Sequence, residues 1–305
     1  MHLSIVTTIY CSAPYLAEFH ARATLSARGI TDDYEMVFIN DGSPDDSLAV
    51  MLSLYEQDEK VRVIDLSRNF GHHKAMMAGL AHAKGDLVFL IDCDLEVAPE
   101  TLTAFHARFC STQTDVVYGV QDERKDGLMA RLAGRMFYTI FNWFSTDALP
   151  VNLLTTRLMS RRYVSALIAH EEREILIAGL WAITGFSQVP LMVPKLSKGK
   201  STYTLGHRIA VLVNAITSFS NKPLIMIFYL GIMISLASGL AAFYLVIRML
   251  LFGTLLEGWP SLIVSVWMMG GLSILCLGIV GIYLSKIYME TKQRPNTIIR
   301  EIYQR

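Results

Sequence analysis

The sequence has few cysteines and no excess of charge of either sign. Its four cysteines, Cys11, Cys93, Cys110 and Cys276, are scattered through 305 residues. They form no pair with the spacing of a metal site, and this usage is typical of a reducing compartment. The 27 basic residues equal the 27 acidic ones, so bulk electrostatics gives no reason to expect a nucleic-acid partner.

Charge is entirely missing from two long stretches near the C-terminal end. Residues 223–247 and 258–285 contain no Asp, Glu, Lys or Arg, and each stretch exceeds the roughly 20 residues with which an α-helix crosses a bilayer core. Two buried core helices are the alternative, but helices of globular proteins rarely run this far without a polar face. The pattern therefore predicts two transmembrane helices.

The charges that flank these stretches predict an orientation. The sequence beyond Ser285 carries more basic than acidic residues: Lys286, Lys292, Arg294, Arg300 and Arg305 against Glu290 and Glu301. By the positive-inside rule this end is cytoplasmic, and two spans return the chain to the side on which it starts. We therefore expect four segments: a cytoplasmic domain (1–205), an amphipathic juxtamembrane segment (206–222), a two-helix transmembrane domain (223–285) and a basic cytoplasmic tail (286–305).

The first 120 residues alternate between short β-rich runs and helical stretches. Strands are expected at residues 3–9, 35–40, 61–65, 87–91 and 115–120, and helices after Pro14, from about Asp46, after Gly71 and after Pro99. This alternation predicts an α/β domain with a mainly parallel sheet covered by helices. The order of the strands does not follow from the pattern.

Two carboxylates follow one of the apolar runs. Asp92 and Asp94 come directly after residues 87–91, and Asn40-Asp41-Gly42-Ser43 follows another predicted strand. Ligands of open α/β sheets bind beyond the carboxyl ends of the strands, and hard divalent cations prefer carboxylate oxygens shared with substrate phosphates. The pattern favours a metal site for a diphosphate, although an Asp-x-Asp also occurs in ordinary solvated turns.

Three motifs together resemble a known family. Asn40-Asp41-Gly42-Ser43, Ser67-Arg68-Asn69-Phe70-Gly71 and Asp92-Cys93-Asp94-Leu95-Glu96 occur in the order and at the spacing of inverting family 2 glycosyltransferases. Within that family the chain is similar to the polyprenyl-phosphate glycosyltransferases, the bacterial relatives of dolichol-phosphate mannose synthase. The likeness continues through Phe141-Asn142, Arg157 to Arg161, Lys198 to Ser201 and the two apolar stretches.

The resemblance implies a GT-A nucleotide-sugar domain and a role for individual residues. Asp41 would hold the base or ribose of the donor, Asp92 would lie near the nucleotide, and Asp94 would coordinate Mg²⁺ or Mn²⁺ at the diphosphate. The implied donor-binding residues are Tyr10, Asp41, Asp92, Lys198 and Lys200; the implied metal ligands are Asp92, Asp94 and Glu96.

Three arginines are candidates for the acceptor phosphate. Arg124, Arg131 and Arg135 follow the last predicted strand, and Arg131 and Arg135 share one face if the segment is helical. Periodicity alone favours a solvated basic face, whereas the resemblance favours a catalytic role for Arg131. Lys198 and Lys200 would bind the donor diphosphate, the lipid phosphate or anionic head groups.

The chain departs from the usual family pattern at three positions. Ser12 stands where the family has an acidic residue after the first strand, Glu96 replaces the commoner Gln, and Thr155 replaces an Asp. Thr155 cannot supply the charge of that Asp, so we expect an unusual donor, weak activity or a substitute carboxylate; the candidates are Glu171, Glu172 and Glu174. His72 and His73 begin a predicted helix, where polar residues usually face solvent, and hard-ion sites favour oxygen ligands.

The expected function is inverting transfer of a single sugar from a nucleotide-diphosphate sugar, with UDP favoured, to undecaprenyl phosphate. Such an enzyme would lie in the bacterial inner membrane and make a lipid-linked sugar for modification of surface polysaccharide or lipopolysaccharide. Gly270, Gly271, Gly278 and Gly281 would suit either homo-oligomer packing or packing of the two spans. The alternatives are a processive polysaccharide synthase, whose Gln-x-x-Arg-Trp motif is missing, and a non-catalytic membrane scaffold that keeps the fold.

Overall fold

A computed structural model describes the fold of residues 1–121, 152–173, 175, 177–194, 213, 217, 220, 222–252 and 258–305. Five predicted site residues lie outside these ranges: Arg124, Arg131, Arg135, Lys198 and Lys200. Most of the predicted juxtamembrane segment, 206–222, also lies outside them. The described residues belong to two compact units. The first holds those up to Pro194 together with Gln293–Arg305, and the second holds those from 213 to Lys292.

The first unit contains eight strands and six helices among the described residues. The strands are β1 (Leu3–Ile9), β2 (Tyr34–Asn40), β3 (Val61–Leu66), β4 (Leu87–Leu90), β5 (Val116–Gln121), β6 (Leu153–Ser160), β7 (Gln188–Val193) and β8 (Ile299–Tyr303). The helices are α1 (Ala13–Arg28), α2 (Ser47–Gln57), α3 (His72–His82), α4 (Thr101–Thr112), α5 (Arg161–Ile168) and α6 (Ile177–Ile183).

These eight described strands belong to one mixed sheet with the order β7-β5-β6-β4-β1-β2-β3-β8. The central strands β4, β1, β2 and β3 run parallel, as does the pair β5 and β7. Strand β6 is antiparallel to both of its neighbours, and β8 is antiparallel to β3. The predicted α/β class with a mainly parallel sheet is confirmed.

Helices cover both faces of the sheet, and each face has its own apolar core. Phe19 of α1, Met51 of α2 and Phe105 of α4 pack on one face. Leu80 of α3 and Trp181 of α6 belong to the core on the other face. The central strands are buried on both faces, which explains why they appear in the sequence as continuous apolar runs and not as alternating ones.

The pattern did not predict strands β6, β7 and β8. Strand β6 lies between β4 and β5, so a segment from later in the chain separates two strands that are neighbours in sequence. Strand β8 comes from the predicted basic tail and pairs with β3 as the outermost strand of the sheet, where Ile64 faces Ile302. Sequence-local patterns do not reveal such pairings because the partners are far apart in the chain.

The second unit contains the two predicted apolar helices. Helix α7 (Lys222–Phe252) and helix α8 (Trp259–Thr291) contain stretches long and apolar enough to span a membrane, Lys222–Ala241 and Ser265–Thr291. None of either stretch is buried inside the protein. Within this unit the Tyr283 hydroxyl donates a hydrogen bond to the backbone oxygen of Ser220, at 2.6 Å. The predicted pair of C-terminal helices is confirmed.

Candidate active site

The order of the parallel strands places the candidate donor residues at one edge of the sheet. Strand β1 lies between β4 and β2, and Ile9 is in register with Asn40. The carboxyl ends of β1, β2 and β4 therefore lie at the same edge of the sheet. Tyr10 and Asp41 directly follow β1 and β2 there, and Asp92 follows β4 after one further residue. This is the edge at which open α/β sheets bind ligands.

The acidic turn after β4 points two carboxylates into a cleft. Cys93 is buried, its thiol donates to the backbone oxygen of Thr8 at 3.2 Å, and burial raises its pKa to about 11. Cys93 thus anchors the turn, while its neighbours line the cleft. The Asp94 carboxylate accepts the backbone N–H of Glu96 at 2.9 Å across Leu95, whose φ of 59° is left-handed. The cleft is lined by Asp92, Asp94, Glu96, Val97 and residues 153–156.

Strand β6 supplies the opposite wall of this cleft. Arg157 is in register with Leu90, the last residue of β4, so the residues before Arg157 run past the end of β4 and over the acidic turn. Thr155 therefore lies beside Asp92 and Asp94, at the position where the family resemblance places an aspartate. Its hydroxyl brings no negative charge to the cleft.

A histidine expected to face solvent lies next to the acidic turn. His72 is the first residue of α3, its Nδ1 is 2.9 Å from the Thr8 hydroxyl, and its Nε2 is 3.4 Å from a carboxylate oxygen of Asp92. The His72 side chain is about half exposed, so it contacts both solvent and Asp92. His73 instead lies against the backbone oxygen of Ile175, and burial lowers its pKa.

Asp41 organises two loops. Its carboxylate accepts the backbone N–H groups of Phe70 at 2.7 Å and Gly71 at 3.0 Å, which belong to the loop after β3. Burial raises the pKa of this carboxyl, and the two backbone hydrogen bonds oppose that rise. Asp41 therefore holds the loop after β3 in place, and it also lies at the edge of the sheet where we expect the donor to bind.

The same two loops touch at Gly42. This residue has a φ of +60°, and a Cβ added to it would lie 2.5 Å from the backbone carbon of Arg68 and the backbone nitrogen of Asn69. Only glycine fits both conditions. The contact brings Asn40-Asp41-Gly42-Ser43 and Ser67-Arg68-Asn69-Phe70-Gly71, two of the three sequence motifs, into one structure.

Asp45 ties the start of α1 to the start of α2. Its carboxylate accepts from the Ser43 hydroxyl at 2.5 Å, from the Ser47 backbone N–H at 3.1 Å and from the Ala13 backbone N–H at 3.3 Å. Burial raises the pKa of this carboxyl, but the hydrogen bonds outweigh burial and lower the pKa to about 2. The Ser43 hydroxyl also accepts the backbone N–H of Cys11 at 2.8 Å.

A buried cation stands in β6, at the first residue of the segment Arg157 to Arg161 that shares in the family likeness. Arg157 is almost fully buried, lies over the Trp181 ring, and burial lowers its pKa to about 9. Its Nε donates to the backbone oxygen of Thr155 at 3.3 Å. Neither terminal nitrogen makes a hydrogen bond of normal geometry to any residue that the structure describes. Residues two apart share a face of a strand, so the aspartate that Thr155 replaces would stand on the same face as this guanidinium.

The carboxylates of the cleft suit a hard cation, but they do not form a complete cage. Carboxylate oxygen is the ligand type that Mg²⁺ and Mn²⁺ prefer. Over the described parts of the chain, no three His, Cys, Asp or Glu side chains are grouped closely enough to hold a metal ion without other ligands. An ion held by Asp92 and Asp94 would complete its coordination with further oxygens, for which a bound diphosphate and water are suitable.

Comparison with known proteins defines the class of protein. Residues 4–167 match the family described as "Glycosyl transferase family 2". The chain therefore belongs to glycosyltransferase family 2 and is a glycosyltransferase, and its fold is the GT-A fold. The crystal structure of glucosyl-3-phosphoglycerate synthase from Mycobacterium tuberculosis shares the fold, with a TM-score of 0.50 at 17% identity over 71% of this chain and 79% of that one.

Two relatives match almost the whole chain. One is described as "Putative glycosyltransferases" from Mycobacterium tuberculosis (strain CDC 1551 / Oshkosh) and is 54% identical over 303 residues, covering 99% of this chain and 89% of the relative. The other is "Bactoprenol glucosyl transferase" of Shigella phage SfV, 30% identical over 302 residues, which are 98% of each protein. The resemblance to the polyprenyl-phosphate branch is thereby confirmed.

The loop contact at Gly42 leads to a stability prediction. Gly42→Ala forces a side chain into the left-handed region and into backbone atoms of the facing loop, which we expect to cost about 1–3 kcal/mol. A loss of that size lowers the melting temperature of the detergent-solubilised protein by roughly 2–10 °C. Gly231→Ala is the matched control, because a Cβ at Gly231 meets nothing within 4 Å. Equal melting temperatures for wild type and Gly42→Ala would contradict the proposed role of the contact.

Proposed function

We propose that this enzyme transfers one sugar from a nucleotide-diphosphate sugar to a polyprenyl phosphate at a membrane surface. The observation that carries the proposal is one edge of the sheet, where the acidic turn and the two loops joined at Gly42 meet, in a chain that also has two membrane-length helices. The full-length similarity to a bactoprenol glucosyl transferase supports a lipid-linked acceptor. The family resemblance favours UDP as the nucleotide of the donor.

Asp92 and Asp94, with Glu96 beside them, would hold Mg²⁺ or Mn²⁺ together with the donor diphosphate. The bound cation would neutralise the negative charge that develops on the departing nucleotide. The backbone N–H of Glu96 fixes the orientation of Asp94, and Nε2 of His72 lies close to Asp92. These contacts prepare the two carboxylates before the substrate arrives.

The reaction needs no strong base because the acceptor phosphate is already an anionic nucleophile. An acceptor oxygen forms the new bond to the anomeric carbon as the bond to the nucleotide diphosphate breaks on the opposite side, which inverts the configuration. The requirement on the protein is then positioning and charge neutralisation. We assign the acceptor phosphate to Arg131, with Arg124 and Arg135 nearby in sequence.

Lys198 and Lys200 stay candidates for the donor diphosphate. Tyr10 and Asp41 complete the proposed donor site, because both lie at the edge of the sheet where β1 and β2 end. Asp41 would act there partly through the loop that it holds, since its two oxygens already accept the N–H groups of Phe70 and Gly71.

Purified full-length protein tests the proposal directly. Incubation with undecaprenyl phosphate, a panel of UDP- and GDP-sugars and Mg²⁺ or Mn²⁺ should give a lipid whose mass equals the acceptor plus one sugar residue. Addition of several sugars would instead indicate a processive polysaccharide synthase. Binding of nucleotide sugar without any transfer would indicate a non-catalytic scaffold.

Asp94→Asn should lower the rate of transfer about a hundredfold or more, because a neutral amide cannot provide the charge that stabilises diphosphate departure. Asp32→Asn is the matched control: Asp32 is exposed in the connection between α1 and β2, at the opposite end of the strands. A near-normal rate for Asp94→Asn, or for wild type in excess EDTA, would remove Asp94 from its proposed role.

The proposed topology places the catalytic domain and the C-terminal end in the cytoplasm of a bacterial cell, with the inner membrane spanned twice. In a variant without native cysteines, an impermeant thiol reagent applied to intact cells should label a cysteine at Gly253 and leave one at Gln304 unlabelled. The reverse pattern would separate the active site from cytosolic nucleotide sugars and overturn the proposed function.

A further inference from the structure

The C-terminal strand β8 completes the sheet beside the loops of the proposed donor site. It follows helix α8 after seven residues and pairs with β3, the strand that leads into the loop 67–71. The pairing continues past the end of β3, where the backbone N–H of Ser67 donates to the backbone oxygen of Ile298 at 2.9 Å. The chain therefore returns to its catalytic unit after both apolar helices.

Arg300 of β8 contacts two different groups at the base of these loops. Its Nη1 donates to a carboxylate oxygen of Asp65 at 3.1 Å, and its Nη2 donates to the backbone oxygen of Ser67 at 2.8 Å. Asp65 is buried within β3, while the Arg300 side chain is more than half exposed. The guanidinium therefore neutralises a buried carboxylate from the protein surface.

Asp65 is linked to the neighbouring loop through hydrogen bonds of Asn40. Its second oxygen accepts the side-chain N–H of Asn40 at 2.8 Å, and the Asn40 side-chain oxygen accepts the backbone N–H of Ser43 at 3.2 Å. These bonds form a continuous series from Arg300 through Asp65 and Asn40 to the turn that contains Asp41 and Gly42. Arg300 thus contacts one loop directly and reaches the other through two buried side chains.

A buried carboxylate that loses its cationic partner is strongly unfavourable, so its other hydrogen bonds must rearrange or water must enter. Without Arg300, Asp65 would keep the Asn40 amide as its remaining side-chain partner among the described residues. The Asn40 side chain would then no longer be held in the orientation that accepts the N–H of Ser43.

We propose that Arg300 is a positioning residue of the donor site, through which the C-terminal strand holds the two nucleotide-binding loops in their working geometry. The inference rests on the proposed function for the identity of the ligand, a nucleoside diphosphate sugar. It assigns to a residue of the basic tail a role in donor affinity and not in acceptor binding.

The variant Arg300→Gln removes the charge and leaves β8 attached. Strand β8 keeps its backbone pairing with β3, and Arg62 still donates to the side-chain oxygen of Gln304 at 3.0 Å. Arg305→Gln is the matched control, because Arg305 also neighbours β8 but donates to the backbone oxygen of Glu56, at 3.0 Å, away from Asp65.

Hydrogen exchange followed by mass spectrometry on the ligand-free full-length protein gives the first test. Peptides covering residues 40–47 and 67–71 should exchange faster in Arg300→Gln than in wild type. In Arg305→Gln the exchange rates of the same peptides should equal those of wild type. This measurement needs no substrate, so it tests the positioning role even if wild type transfers no sugar from any donor, a result that would count against the proposed function alone.

Steady-state kinetics gives the second test. Arg300→Gln should raise the donor KM about threefold to tenfold, in keeping with the loss of one partly exposed charge-assisted contact, with kcat and the acceptor KM changed less than twofold. Arg300→Lys should recover part of the donor affinity. In an Asp65→Asn background the same Arg300→Gln change should have little further effect, because the neutral amide no longer needs the cation.

Unchanged exchange and unchanged donor KM in Arg300→Gln would overturn the proposal. Equal effects in Arg300→Gln and Arg305→Gln would also overturn it, since they would show a general loosening of the C-terminal strand. If Arg300→Gln does not fold, Arg300→Lys takes its place in the hydrogen-exchange and donor-KM measurements. Lysine keeps the charge but cannot donate to Asp65 and to the Ser67 backbone with the paired nitrogens of a guanidinium.

Discussion

The parallel run of β4, β1, β2 and β3 is the constraint on which the site depends. Strands that run side by side in one direction must end at one edge, so the segments that follow Ile9, Asn40, Leu66 and Leu90 are brought together whatever their sequences. The chain uses this edge for many of its polar and acidic residues, whereas the strands themselves are mostly apolar and are buried. The residues of the site are thereby kept apart from the apolar core, and substitutions in the loops can alter the site without disturbing the sheet.

Each buried acidic group near this edge has its own means of stabilisation. Asp41 is bound by two backbone N–H groups, and Asp65 is bound by Asn40 and Arg300. A carboxylate removed from water without such partners would be costly. Asp92 and Asp94 are different, because they face a cleft and are left partly open to solvent. That difference separates the carboxylates that maintain the loops from those that we assign to a cation.

Much of the central sheet could be predicted because its strands are short, mostly apolar runs that alternate with helical stretches. The expected strands at 3–9, 61–65 and 87–91 agree with β1, β3 and β4 to within one residue at each end. The two apolar helices were equally predictable, since so long a stretch without a charged side chain is typical of a helix that spans a membrane.

The remaining features depend on contacts between distant residues. Nothing near Thr155 indicates that β6 inserts between β4 and β5 and so faces the acidic turn. In the sequence Arg300 is one charge of a basic tail, whereas in the fold it binds Asp65, which lies 235 residues earlier. His72 likewise approaches Asp92 only because α3 begins beside the end of β4 in the folded chain. Local sequence patterns predict elements, and long-range pairing decides which side chains meet.

The central claim is that the acidic turn and the loops joined at Gly42 act as one site for a nucleotide diphosphate and a cation. Because the described residues form no complete metal cage, the cation and the nucleotide should bind with strong mutual dependence. Titration of the purified protein with Mn²⁺, followed by electron paramagnetic resonance with and without UDP, measures this coupling. We predict Mn²⁺ binding at least about tenfold tighter with UDP, and loss of that gain in Asp94→Asn. Equal Mn²⁺ affinity with and without nucleotide would contradict the account.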